Sequence, residues 1–133
     1  MYRFILYLLI IFTFLSPTQS SQTFKLNQLF EELSRTNDPK KADLLEKKIW
    51  AVWNKHPKNI KLTDKLEFGT ELMYEGNYNY ALKVFDNILE TDPKWSEAWN
   101  KRATLLYFMK EFKKSLDDIK IVLSIEPRHF GAL

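Results

Sequence analysis

The chain has no cysteine, which removes disulfide frameworks, thiolate metal sites, thiol nucleophiles and a lipidated N-terminal cysteine. Its two histidines, His56 and His129, are too few for a histidine-rich metal site, and neither has an acidic neighbour at ligand spacing. Three glycines leave little room for phosphate-cradling loops, and neither G-x-x-x-x-G-K nor G-x-G-x-x-G occurs. Charge of one sign is also scarce. There are 20 Lys+Arg against 17 Asp+Glu, a formal net of +3 spread along the chain, so nothing marks a nucleic-acid surface. No stretch alternates with period two over a useful length, which argues against a sheet. Aromatic residues, by contrast, are plentiful: 10 Phe, 6 Tyr and 4 Trp make up 15% of 133 residues. Such a composition suits one well-cored helical binding domain, not an enzyme, and no cofactor is expected. The paired acids Glu31-Glu32 and Asp117-Asp118 do not change this, because neighbours on a helix diverge by about 100° and make no joint acid–base site.

Residues 1–20 have the pattern of a secretory signal peptide. Met1-Tyr2-Arg3 puts one positive charge ahead of an apolar run from Phe4 to Leu15, interrupted only by Thr13. Such a run spans about 18 Å as a helix, short of the roughly 30 Å hydrocarbon core of a bilayer. Pro17 is expected to end it, and Thr18 and Ser20 offer small side chains for cleavage after Ser20. Export follows as the expectation. The alternative is an uncleaved segment that anchors the chain in a membrane.

The remainder repeats itself at an offset of 34 residues. Asp92-Pro93 meets Glu126-Pro127, Gly69 meets Ala103, Leu72 meets Leu106, and Tyr74 meets Phe108. Further on, Tyr78 pairs with Phe112, Ala81 with Ser115, Phe85 with Ile119, Ile88 with Val122 and Leu89 with Leu123. Size and polarity are kept at each of these positions. Each period reads as two short helices. In the first unit, residues 61–95, Thr63 or Asp64 caps a helix to about Glu75, with Phe68, Leu72 and Met73 on its apolar side. Gly76-Asn77 turns the chain, with Asn77 able to cap the next helix. Ala81, Leu82, Phe85, Ile88 and Leu89 then form an apolar stripe that ends before Pro93. In the second unit, residues 96–129, Ser96 caps a helix to Met109, and Phe112 to Ser124 carries Leu116, Ile119, Val122 and Leu123. Residues 21–60 form a more divergent pair, with Leu26, Leu29, Phe30 and Leu33 on one stripe and Ala42, Leu45, Ile49, Val52 and Trp53 on the other. Asp38 caps its second helix and Pro39 stands in the first turn. Trp50 turns away from that stripe, either as an exposed anchor or packed on the preceding helix. Trp95 is expected to bury at the junction between units.

A 34-residue helix–turn–helix unit with these residues resembles the tetratricopeptide repeat. Trp99, Gly69 with Ala103, Ala81 with Ser115, Phe85 with Ile119, and Pro93 with Pro127 stand at its signature positions. Lys65 replaces the signature Trp in the first unit, Arg102 stands where Leu is usual, and Leu72 and Leu106 replace Tyr. The strings from Trp99 to Thr104 and from Glu126 to Leu133 are similar to those of exported, periplasmic repeat proteins of alphaproteobacteria. The resemblance implies an all-α fold of antiparallel helix pairs stacked as a short right-handed α-solenoid, and a scaffold that binds a peptide or another protein.

In that family the first helix of each unit lines a concave groove. Carried over, the groove candidates are Thr63, Glu67, Thr70, Met73 and Tyr74 from the first unit. Glu97, Asn100, Lys101, Thr104, Tyr107 and Phe108 come from the second. The Lys–Asn–Arg arrangement that clamps a C-terminal carboxylate in some members is not reproduced. Arg102 enters the inward side of its helix and is expected to form a structural ion pair with Asp117 or Asp118. Arg102→Leu should then leave the fold intact and Arg102→Ala should lower Tm. Residues 130–133 are expected to begin a further first helix. The stripe on Phe112–Ser124 then lacks a neighbour within this sequence, so self-association or partner binding through that last helix is expected.

Overall fold

The computed structural model describes residues 17–133, with side chains from Ser21 onward. The expected leader, residues 1–20, therefore lies outside the described residues except for four backbone positions. Pro17, read as the stop of the apolar run, is already helical at the first described position. Among the described residues six helices follow one another: α1 (Pro17–Arg35), α2 (Pro39–Trp53), α3 (Ile60–Tyr74), α4 (Tyr78–Thr91), α5 (Ser96–Phe108) and α6 (Phe112–Ile125). Among the described residues there is no strand, and no helix is long and apolar enough to cross a membrane.

The hairpins α3–α4 and α5–α6 turn in the same way, 34 residues apart. Asn77 N–H donates to Leu72 C=O at 2.8 Å and Glu111 N–H to Leu106 C=O at 2.8 Å, each closing a left-handed cap. The left-handed residue is Gly76 (φ 81°) in one turn and Lys110 (φ 62°) in the other. Helix starts differ from expectation. Asn59, not Thr63 or Asp64, caps α3 by accepting from Lys61 N–H at 3.1 Å. Thr63 lies inside α3, and its hydroxyl accepts from His56 N–H at 2.9 Å. Trp95 stands at the N-cap of α5, so Ser96 is already helical and makes no cap bond; Asn77 makes none for α4. Asp38 does cap α2, accepting from Lys40 N–H at 2.9 Å ahead of Pro39.

Two apolar cores result. The larger joins α3, α4 and α5 through Leu62, Leu66, Met73, Phe85, Ile88, Trp95 and Leu105. Gly69 lets α3 and α4 approach closely: a Cβ there would stand 2.7 Å from Phe85 Cε1. The smaller core lies inside the first hairpin, around Leu26, Leu29, Leu45, Ile49, Val52 and Trp53, and Phe130 from the far end of the chain packs on it. Residues 130–133 close in a single turn, with Ala132 N–H donating to His129 C=O at 2.9 Å. The apolar side of α6 is only partly covered. Val122 is buried, Ile119 and Leu123 are half-buried, and Leu116 is exposed.

Candidate functional site

The helices α3 and α5 carry all the groove candidates, and the two ends of these helices meet different surroundings. At the N-terminal ends the chain covers itself. Trp95 Nε1–H donates to Trp53 C=O at 3.0 Å, which ties the end of α2 to the start of α5. The neighbouring loops are joined by His56, whose Nε2 lies 2.8 Å from Asp92 Oδ2 while Nδ1 accepts from Asn59 N–H at 2.9 Å. Nδ1 is thus an acceptor, so the hydrogen facing Asp92 sits on Nε2.

Beside this junction lies a wholly buried polar group. His129 and Glu97 are both 0% exposed, with Nε2 to Oε2 at 2.9 Å. The His129 ring stacks on Trp53 at 4.0 Å and 8°. Asn100 Nδ2 donates to the same Glu97 oxygen at 3.2 Å. The other oxygen, Oε1, has no well-aligned hydrogen bond but faces Lys101 Nζ at 3.2 Å, and that ammonium also stands 5.9 Å from the Trp50 ring centre. A buried carboxylate is tolerable only with such partners, because an uncompensated one costs several kcal/mol. Trp50 is therefore no exposed anchor. It stands edge-on to Trp53 and Phe130, and Gly131 passes so close that a Cβ would collide with its ring.

This arrangement sorts the groove candidates. Thr63, Met73, Glu97 and Asn100 are buried and unavailable to a ligand, because α2 and residues 126–133 cover the helix starts and Met73 belongs to the core. Glu67, Thr70 and Lys101 line a shallow hollow of about 300 Å³ with Asn54, Leu66 and Glu71. Thr70 and Thr104 spend their hydroxyls on the carbonyls of Leu66 and Asn100, at 2.7 and 3.0 Å. At the C-terminal ends the surface is open and aromatic. Tyr74 is 72% exposed, Tyr107 60%, Phe108 40% and Phe112 53%. Tyr107 meets Phe112 at 5.5 Å and Phe108 at 6.3 Å, and Phe108 reaches Tyr78 at 6.3 Å.

Arg102 is held from two helices. Its Nε and Nη2 donate to Asp118 Oδ2 and Oδ1, each at 2.8 Å, and Nη1 donates to Asp86 Oδ1 at 2.8 Å. The hydrogen bonds to Asp118 raise the guanidinium pKa, burial opposes the rise, and Asp86 adds to it. The plane of the group lies over Trp99, 4.7 Å from the ring centre. Asp117 pairs with Lys113 and Lys120 instead. Among the described residues no cluster of acids and histidines is placed to hold a metal.

A protein of Rhizobium etli named a TPR repeat-containing protein is 38% identical to this chain over 114 residues, or 86% of the chain. This match and the paired helices make the chain similar to tetratricopeptide-repeat proteins. It spans 55% of the length of that relative. No family model and no solved structure matches. Within the tetratricopeptide framework, sequence reasoning missed His129 and Phe130 as partners of the inner face, and Asp86 as a second partner of Arg102. The signal for His129 was present, since it stands one period after Trp95, and both are buried at the start of a unit.

Proposed function

We propose that the chain is a non-catalytic interaction module that takes a peptide or protein segment at the aromatic end of its inner face. The observation that carries this reading is the exposed series Tyr74, Tyr107, Phe108 and Phe112, beside helix starts that the chain itself covers. Large aromatic side chains with free edges supply contact area at small entropic cost, and they dominate binding at protein interfaces. An extended or helical segment with apolar anchors fits such a surface. A pull-down with the wild-type chain and with Tyr74→Ala/Tyr107→Ala tests it. Capture that falls about tenfold while Tm stays unchanged supports the reading, and equal capture by both contradicts it.

The leader pattern of residues 1–20 supports a further part of the proposal, namely export to the periplasm. Sequencing the N-terminus of the mature protein separates cleavage after Ser20 from a retained membrane anchor. The exposed side chains Phe112, Leu116 and Ile125 support contact through α6, with a second copy or with a partner.

A further inference from the structure

The outer side of α3 and α4 holds an apolar slot of about 590 Å³, lined by Phe68, Leu72, Tyr80 and Val84 with Lys65 and Lys83 on its rim and Asn77 and Asn87 beside them. One period on, the structure shows what occupies the corresponding place. Adding 34 to Phe68, Leu72, Tyr80, Lys83 and Val84 gives Arg102, Leu106, Lys114, Asp117 and Asp118, and these five line the hollow on α5 and α6. That hollow has two further wall residues, Leu82 and Asp86, both on the preceding helix α4. A helix thus lays an apolar side chain against the second unit and, one turn later, a carboxylate that meets Arg102 at 2.8 Å. In the first unit no described helix takes that position. The helix preceding α3 is α2, and it rests through Trp50 and Trp53 on Phe130 and His129. Phe68 is left 54% exposed and Tyr80 68% exposed.

Charge specifies the occupant. Among the described residues no carboxylate lines the slot, Lys65 Nζ donates to Asn87 Oδ1 at 2.6 Å, and Lys83 Nζ stands 5.8 Å from the Tyr80 ring centre. We infer that the slot receives an acidic amphipathic helix from another protein. Its apolar side chains sit on Phe68, Leu72 and Val84, and its flanking Asp or Glu reach Lys65 and Lys83. This surface is separate from the aromatic end of the inner face, and the inference does not depend on that reading.

The probe is a fluorescent alanine-based helical peptide of about four turns, with leucines along one face and glutamates flanking them. Its control has lysine in place of each glutamate. Fluorescence anisotropy with the full chain should show binding of the glutamate peptide and at least about tenfold weaker binding of the lysine peptide. Phe68→Arg/Val84→Asp rebuilds in the slot the pair that Arg102 and Asp118 form one period on, and should weaken the glutamate peptide by a similar factor. Lys65→Glu/Lys83→Glu touches only the rim, decides the matter should the first variant not fold, and should invert the preference between the peptides. Equal binding of both peptides, or affinity unchanged by either variant, overturns the inference. So does self-association in sedimentation that Phe68→Arg/Val84→Asp abolishes, since the slot would then hold a second copy.

Discussion

Arg102 shows how far one residue's role could be read from sequence. Its spacing placed it on an inward face near two acids, but only the fold reveals that Asp118 is 4% exposed and that Asp86 on the other neighbouring helix completes the site. That burial changes the expected outcome of substitution. Arg102→Leu and Arg102→Ala both leave a buried carboxylate unpaired, a loss on the order of 3–5 kcal/mol. Replacing the pair together, as Arg102→Phe/Asp118→Val, installs the residue types found at Phe68 and Val84. It should be neutral to stabilising, measured as the urea midpoint against either single variant. Glu126 supplies a pH prediction. Burial raises its pKa, but the hydrogen bonds and charge of Arg128 outweigh that and leave it lowered. A lowered folded pKa gives stability that is present above the ordinary carboxylate range and is lost as pH falls through and below it. Thermal melts in acid should therefore lose less stability for Glu126→Gln than for the native chain. An equal loss would show that the Arg128 pair contributes nothing.

Helix by helix, the regular elements were legible because stripe spacing, Pro93, Pro127 and the turn at Gly76 are local signals that tertiary contacts did not override. The caps were less so. Asn59 and Trp95 hold N-cap positions that a search for Ser or Thr passes over, and Thr63 serves a distant loop instead. The two units also differ in a compensating way. Gly69 faces Phe85 in the first, where the second has Ala103 and Ile119 at the matching positions, so the larger ring goes with the missing methyl. Gly69→Ala should cost about 1–3 kcal/mol by overpacking, despite alanine's better helix propensity. Combined with Phe85→Ile it should cost clearly less than the sum of the single changes, by about 1 kcal/mol in a double-mutant cycle. Strict additivity would mean that the close approach at Gly69 carries no energy.

Across the whole molecule, the stacking of two hairpins followed from the 34-residue period, whereas the placement of the first hairpin did not. Trp53 lies far along the sequence from His129 and Phe130, and no local pattern announces that they stack. Four of the eleven inner-face candidates are buried, two of them for the same reason: Glu97 and Asn100 look like groove residues until α2 and the last eight residues cover them. The inner face is thus divided into an end closed by the chain itself and an aromatic end left open. Nuclear Overhauser spectroscopy of the His129 ring tests this division most directly. Strong cross-peaks between His129 and the Trp53 indole, with His129 resonances shifted by the stacked ring, are the predicted result. A His129 ring at random-coil shifts with no contact to Trp53 would contradict it.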